Sequence, residues 1–326
     1  MKSFLRVCYI LTVLGLLLPV GQAESETIKF TYSGENPPAT HSELAIVRWQ
    51  KAMQKESNGE LDMAVFSGGV LGGADVALPQ LSATEIQVHC AGPVVVHHLA
   101  REYQCMESEF VYADEAHGFR TWTGPLGKEL SRKLESQFNV TIIGVASRGA
   151  RHYTSNVPLR TPADFKGLKV RVTNPLRIEI LKSFGALPAP LSFPELYGAL
   201  QTGVFDAEEN PISTIWGSKF YEVQKYISLT GHVQSYWVIS ANKKFLDSLS
   251  PQHRKIFMDT LNESLAWQNS TVQADIEKQL KMMEDKGMIV IKPDIAAFQK
   301  AAEPIVRKYA SEKCRPGLLD EIAKYK

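Results

Sequence analysis

The chain carries almost no net charge: 36 Lys and Arg stand against 35 Asp and Glu over 326 residues, leaving +1. Nothing in that balance favours nucleic acid or an anionic membrane surface. Cysteine is scarce, four in all, with no CxxC pair and no metal-type spacing. Nucleotide motifs are missing as well. The glycine stretch "SGGVLGGADV" (Ser67–Val76) has neither GxGxxG spacing nor Gly-Lys-Ser/Thr, and reads as a tight strand-to-helix connection. His97 and His98 are adjacent, so their rings diverge on a helix, and no HExxH accompanies them. No GxSxG elbow is present, and "SRGARHYTSN" offers serines and a histidine without a recognisable acid partner. No metal or cofactor is expected.

Long apolar runs are confined to the N-terminus. Lys2 and Arg6 precede "VCYILTVLGLLLPV", and "GQA" ends at Ala23 with the small residues of a signal-peptidase site. That run is too short to span a bilayer comfortably and is followed at once by polar "ESET". Residues 1–23 therefore read as a removed signal peptide, Cys8 lies too early to be a lipoprotein cysteine, and the mature chain reads as exported, periplasmic and not inserted in the membrane. Its charge becomes 34 minus 35, or −1. It keeps Cys90, Cys105 and Cys314; that compartment permits one disulfide without demanding it.

What is there alternates. Ile28–Ser33, Leu61–Ser67, "EIQVHCAG" ending at Gly92, "VTIIGVAS" and "GLKVRV" have strand patterning; Ser42–Gln54 and Glu115–Phe138 have helical patterning. The βαβ rhythm implies an α/β fold with mostly parallel strands and helices on the faces. Thr161 reads as an N-cap with Pro162 at the first helical position, Ser192 and Glu195 are spaced as a capping box, and Gly203 supplies a stop. Ser250 and Pro251 open a helix with no proline or glycine until Gly287, roughly 54 Å at 1.5 Å per residue, expected to cross two lobes.

In "GLKVRV", Leu168, Val170 and Val172 alternate with Lys169 and Arg171. An arginine there is either an outward, solvated residue or a cation held for an anion. The wording downstream decides. "GARHYTSN", "LRTPADFKGLKVRVTN", "ELYGALQTGVFDAEENP" and "KFYEVQKYISLTGH", in that order across Gly149–His232, resemble the substrate-binding proteins of tripartite ATP-independent periplasmic (TRAP) transporters of the DctP type. The resemblance implies a two-lobed periplasmic binding-protein fold, with lobe I at 24–148 plus a return segment at about 236–275, and lobe II at 149–235 plus 276–326. It further implies a monomeric, non-catalytic receptor that binds a small organic carboxylate and serves TRAP membrane subunits. Its arginine of the "KGLKxRV" strand falls on Arg171, its second arginine on Arg151, and the asparagine of "QENP" on Asn210. Asn174, Glu209 and His232 stand where polar companions belong, and Arg148 reads as a solvated neighbour.

A guanidinium presents parallel donors matching both oxygens of a carboxylate, which lysine cannot do. An unpaired buried arginine costs about 3–5 kcal/mol, so an empty site is expected to keep Arg171 open to water. Three features bear on the ligand. "DAEENP" puts Glu208 beside Glu209, and Glu35 sits in the loop after the first strand, while "AGPVVVHH" is apolar. Glu35 or Glu208 could receive an ammonium, so the residues favour an amino-acid-like or short-peptide-like acid, or one with an apolar body, over a polyhydroxylated sugar acid. C4-dicarboxylates and 2-oxo acids are the alternative; a secreted enzyme acting on a small carboxylate and a ligand sensor are the rival functions.

Overall fold

The alternating segments become one hydrogen-bonded sheet in the computed structural model, which describes residues 27–326. The signal-peptide reading, with Cys8, lies outside the described residues. The strands are β1 (Ile28–Gly34), β2 (Leu61–Phe66), β3 (Val88–Ala91), β4 (Val140–Ser155), β5 (Lys169–Val172), β6 (Leu187–Pro190), β7 (Ala207–Pro211), β8 (Tyr226–Asn242) and β9 (Ile289–Ile291). They pair in the order β2-β1-β3-β8-β4-β7-β5-β6, with β9 on β8. Five of these eight pairings are parallel, and three, β3–β8, β4–β7 and β4–β8, are antiparallel. β4 and β8 are the long members: they run together from the β1–β3 half into the β5–β7 half, through register shifts at Ile142/Gly144, Ser147/Gly149 and Arg151/Tyr153.

Helices cover the faces: α1 (His41–Glu56), α2 (Ala74–Ser82), α3 (Val94–His98), α4 (Glu115–Thr123), α5 (Pro125–Phe138), α6 (Pro175–Ser183), α7 (Leu196–Gln201), α8 (Ile212–Gly217), α9 (Lys243–Ser248), α10 (Pro251–Asp285), α11 (Ile295–Lys313) and α12 (Leu318–Ala323). α10 is the long helix that the absence of breakers implies. Ser250 Oγ accepts from His253 N at 3.1 Å, and Pro251 occupies the first turn. Phe257, Leu261 and Leu265 of α10 pack in a core with Phe30 and Trp49, while its Met283 joins another with Leu196 and Phe220. One helix thus braces both lobes of this α/β fold.

Two local readings are corrected. The helical pattern over Glu115–Phe138 is interrupted between α4 and α5 at Gly124, whose ψ of −161° is extended. Pro125 disfavours the helical conformation for the residue before it. Thr161 and Asp164 do form a reciprocal capping box, but Ser192 makes no side-chain cap to its short turn. Cys105 and Cys314 form a disulfide across 209 positions, tying the end of α11 to the segment after α3, and Cys90 is buried and free.

Candidate functional site

β2 and β6 lie at opposite ends of the strand order, yet the chain leaving each meets the other. A Cβ placed on Gly69 would stand 2.3 Å from Pro194 Cγ, and one on Gly73 2.6 Å from Ser192 Oγ. The glycine stretch is therefore a connection whose missing side chains let the two lobes touch. Beneath this contact is a cavity of ≈ 330 Å³. One lobe contributes Glu35, Asn36, Asp75, His97 and His98 to its wall; the other contributes Arg171, Thr173, Ser192 and Phe193. Arg148, Arg151 and Asn210 of β4 and β7 complete it.

Arg171 lies on β5, in the cavity wall, and is 4% exposed. Its Nε and Nη2 both donate to Leu191 O, at 3.0 and 2.8 Å, and Phe193 lies 5.9 Å from the guanidinium carbon. Nη1 has no partner, and Arg171 forms no ion pair among the described residues. Burial lowers its pKa, against the pull of Glu209 and Glu208. The expectation of a wide-open arginine is corrected: Arg171 is buried, and the Leu191 carbonyl of the segment after β6 accepts two of its N–H groups.

Its neighbours are neutralised. Arg151 pairs with Glu209 through Nε and Nη2, the latter at 3.0 Å from Oε1, and Nη2 also reaches Asn210 Oδ1 at 3.2 Å. Arg177 of α6 donates to Glu109 at 2.8 Å and Glu209 at 3.0 Å, so two guanidinium groups share two carboxylates. Its pKa is raised: Glu209, Glu109 and Glu107 together outweigh a larger desolvation penalty. Glu209 stays well below the usual carboxylate range, because Arg151 and Arg177 overcome its burial. His232 lies against Glu209 at 3.3 Å and against Thr230 at 2.7 Å, stacked 4.4 Å from Tyr153. Burial lowers its pKa.

Of the residues singled out in the sequence, Arg171, Arg151, Asn210 and Glu35 line the cavity; Glu208, Glu209, Asn174 and His232 stand behind it. Glu208 accepts from Thr154 at 2.8 Å and Asn210 at 2.6 Å, and burial raises it to about 7. Asn174 caps α6, accepting from Arg177 N at 2.9 Å. Glu35 is partly buried and raised by that burial, although the Ala74 amide and the charges of Arg171 and Arg148 pull it down.

Sequence reading missed Arg148 and His97. Far from solvated, Arg148 is 5% exposed and lines the cavity. Its guanidinium lies 4.0 Å above Trp237, and Nη2 donates to Thr214 Oγ1 at 3.2 Å. His97 Nε2 meets Glu107 at 2.6 Å. No local pattern marks Arg148; only Gly92, close beside it, is a trace. Among the described residues no group of three or more His, Cys, Asp or Glu is arranged to hold a metal.

The model of the DctP family, described as bacterial extracellular solute-binding protein family 7, matches residues 32–313. The chain belongs to this family. A curated relative from Escherichia coli (strain K12), the 2,3-diketo-L-gulonate-binding periplasmic protein, is 32% identical over 92% of each chain. The C4-dicarboxylate-binding periplasmic protein of Rhodobacter capsulatus is 29% identical over 85% of this chain and 83% of its own. Among solved structures, a TRAP periplasmic solute-binding protein from Polaromonas sp. JS666 bound to D-erythronate superposes with a TM-score of 0.84 at 28% identity, covering 92% of this chain and 98% of that one. This DctP-family chain is thus a solute-binding protein of the TRAP type, and no described helix is long and apolar enough to cross a membrane.

Proposed function

We propose that the chain is a periplasmic receptor that encloses a small hydroxylated organic acid between its lobes and delivers it to the membrane subunits of a TRAP transporter. The observation carrying this reading is Arg171: a buried guanidinium in a cavity wall with no acid partner, beside two arginines that have theirs. A ligand carboxylate supplies the missing charge, Arg171 and Arg151 face it, and Asn210 assists. Glu209, Glu208, Asn174 and His232 act from behind, holding Arg151, Arg177 and Asn210 in place. The lobe boundaries proposed from sequence fall within β4 and β8, at the Ser147/Gly149 shift and near Ser235, where a hinge would bend both strands.

The preference for hydroxyl over ammonium revises the sequence reading. Both oxygens of Glu208 are occupied, and Glu35 lies within the field of Arg171 and Arg148, which repel a third cation. Asn36, Asp75 and His98 offer donors and acceptors suited to hydroxyls. The E. coli relative, named for 2,3-diketo-L-gulonate, and the Polaromonas relative, bound to D-erythronate, support the same class. A C4-dicarboxylate is the second reading, favoured by the additional unpaired Arg148. Thermal-shift screening tests both: ligand at about 100 times its Kd adds about 2.7 kcal/mol. Stabilisation by D-erythronate or 2,3-diketo-L-gulonate is expected; stabilisation by amino acids alone would overturn the reading. Recovery of the bound acid unchanged after incubation is expected of a receptor and not of an enzyme.

A further inference from the structure

Arg148 occupies a socket that fixes a guanidinium without neutralising it. Trp237 forms its floor at 4.0 Å, Thr214 takes one N–H, and Gly92 borders Nη1 so closely that a Cβ there would lie 2.7 Å away. Nε has no partner. Two of the acids whose charges reach it are committed elsewhere, Glu107 to His97 and Glu209 to Arg151, Arg177 and His232; the third, Glu35 in the same cavity wall, forms no ion pair with it among the described residues. A buried cation without a counter-charge is strongly penalised unless something arrives to complete it. The side chain nevertheless lines the same cavity as Arg171 and Arg151, to which the reading above gives the ligand carboxylate.

We infer that Arg148 is a second ligand-binding cation, gripping an oxygen-bearing group of the ligand other than the carboxylate at Arg171, so that the cavity selects acids with two oxygen functions over simple monocarboxylates. The inference rests on the organic-acid reading above. The planar fork over Trp237 suits a carboxylate or a pair of hydroxyl oxygens equally, so the second function is either a hydroxylated carbon or a second carboxylate. The aromatic floor and the glycine wall set the plane in which that group must lie.

Calorimetric titration of the mature chain with L-galactonate, succinate and hexanoate tests this. The wild type is expected to bind galactonate or succinate at least about tenfold more tightly than hexanoate. Arg148→Met is expected to abolish that preference. Gly92→Ala, which keeps the charge and the arginine but displaces the guanidinium, is expected to erode it with little change in the unfolding temperature of the ligand-free protein. Loss confined to galactonate identifies hydroxyl oxygens as the second function; loss confined to succinate identifies a second carboxylate. A preference that survives in both variants, or a wild type that binds hexanoate equally well, overturns the assignment of Arg148 alone. A wild type that binds none of the three and is stabilised by neither D-erythronate nor 2,3-diketo-L-gulonate overturns the organic-acid reading and this inference with it.

Discussion

Arg177 Nη1 lies 3.0 Å from Glu209 Oε1, and the same carboxyl also receives Arg151, so one fully buried acid holds two guanidinium groups from different elements. Breaking a buried pair by removing one partner leaves uncompensated charge and costs about 3–5 kcal/mol. Glu209→Gln is therefore expected to lower stability by about that amount in urea unfolding. A loss below about 1 kcal/mol would show that the network is not what fixes β7 to β4.

Glu208 lends the protein a pH dependence. Burial raises its pKa from the ordinary 4.5 to about 7, more than the hydrogen bonds from Asn210 and Thr154 lower it. The native state therefore retains a proton that the unfolded chain releases, and the resulting stability is full below about 4.5 and lost as pH rises through 7. Glu208→Gln is neutral throughout, so relative to the wild type it should gain about 2–3 kcal/mol between pH 5 and 8. Parallel stability profiles for the two proteins would refute the assignment.

The touch between Gly73 and Ser192 predicts a steric compensation. Gly73 has an ordinary φ of −78°, so Gly73→Ala strains no backbone but sets a methyl 2.6 Å from Ser192 Oγ. Ligand affinity is expected to fall about threefold to tenfold, equivalent to about 0.7–1.4 kcal/mol, and to recover when Ser192→Ala removes the hydroxyl. Stability should change by under about 1 kcal/mol, the scale of an altered helix cap. If the double variant binds no better than Gly73→Ala, the lobes do not close through this contact.

Much of the fold was legible because its signals are local. The alternation of Ile28–Ser33, the Ser250–Pro251 start and the absence of glycine until Gly287 each act through neighbours in sequence. The break at Pro125 was equally local, but an uninterrupted apolar period masks it. Arg171 stood out through the strand period and the family resemblance together. Arg148 did not, because what distinguishes it from a solvated arginine is Trp237, Thr214 and Gly92, each remote in sequence. The role of Glu208 was likewise hidden, since it looks equivalent to Glu209 until it is known which oxygens are already occupied. The disulfide partner of Cys105 depended on where α11 ends.

The most direct test of the account is calorimetry of Arg171→Lys with the acid that the wild type binds. Lysine keeps the charge but loses the fork that spans both carboxylate oxygens, and affinity is expected to fall tenfold or more, about 1.4 kcal/mol or greater. A dissociation constant equal to that of the wild type would contradict the claim that this guanidinium is the ligand's anchor.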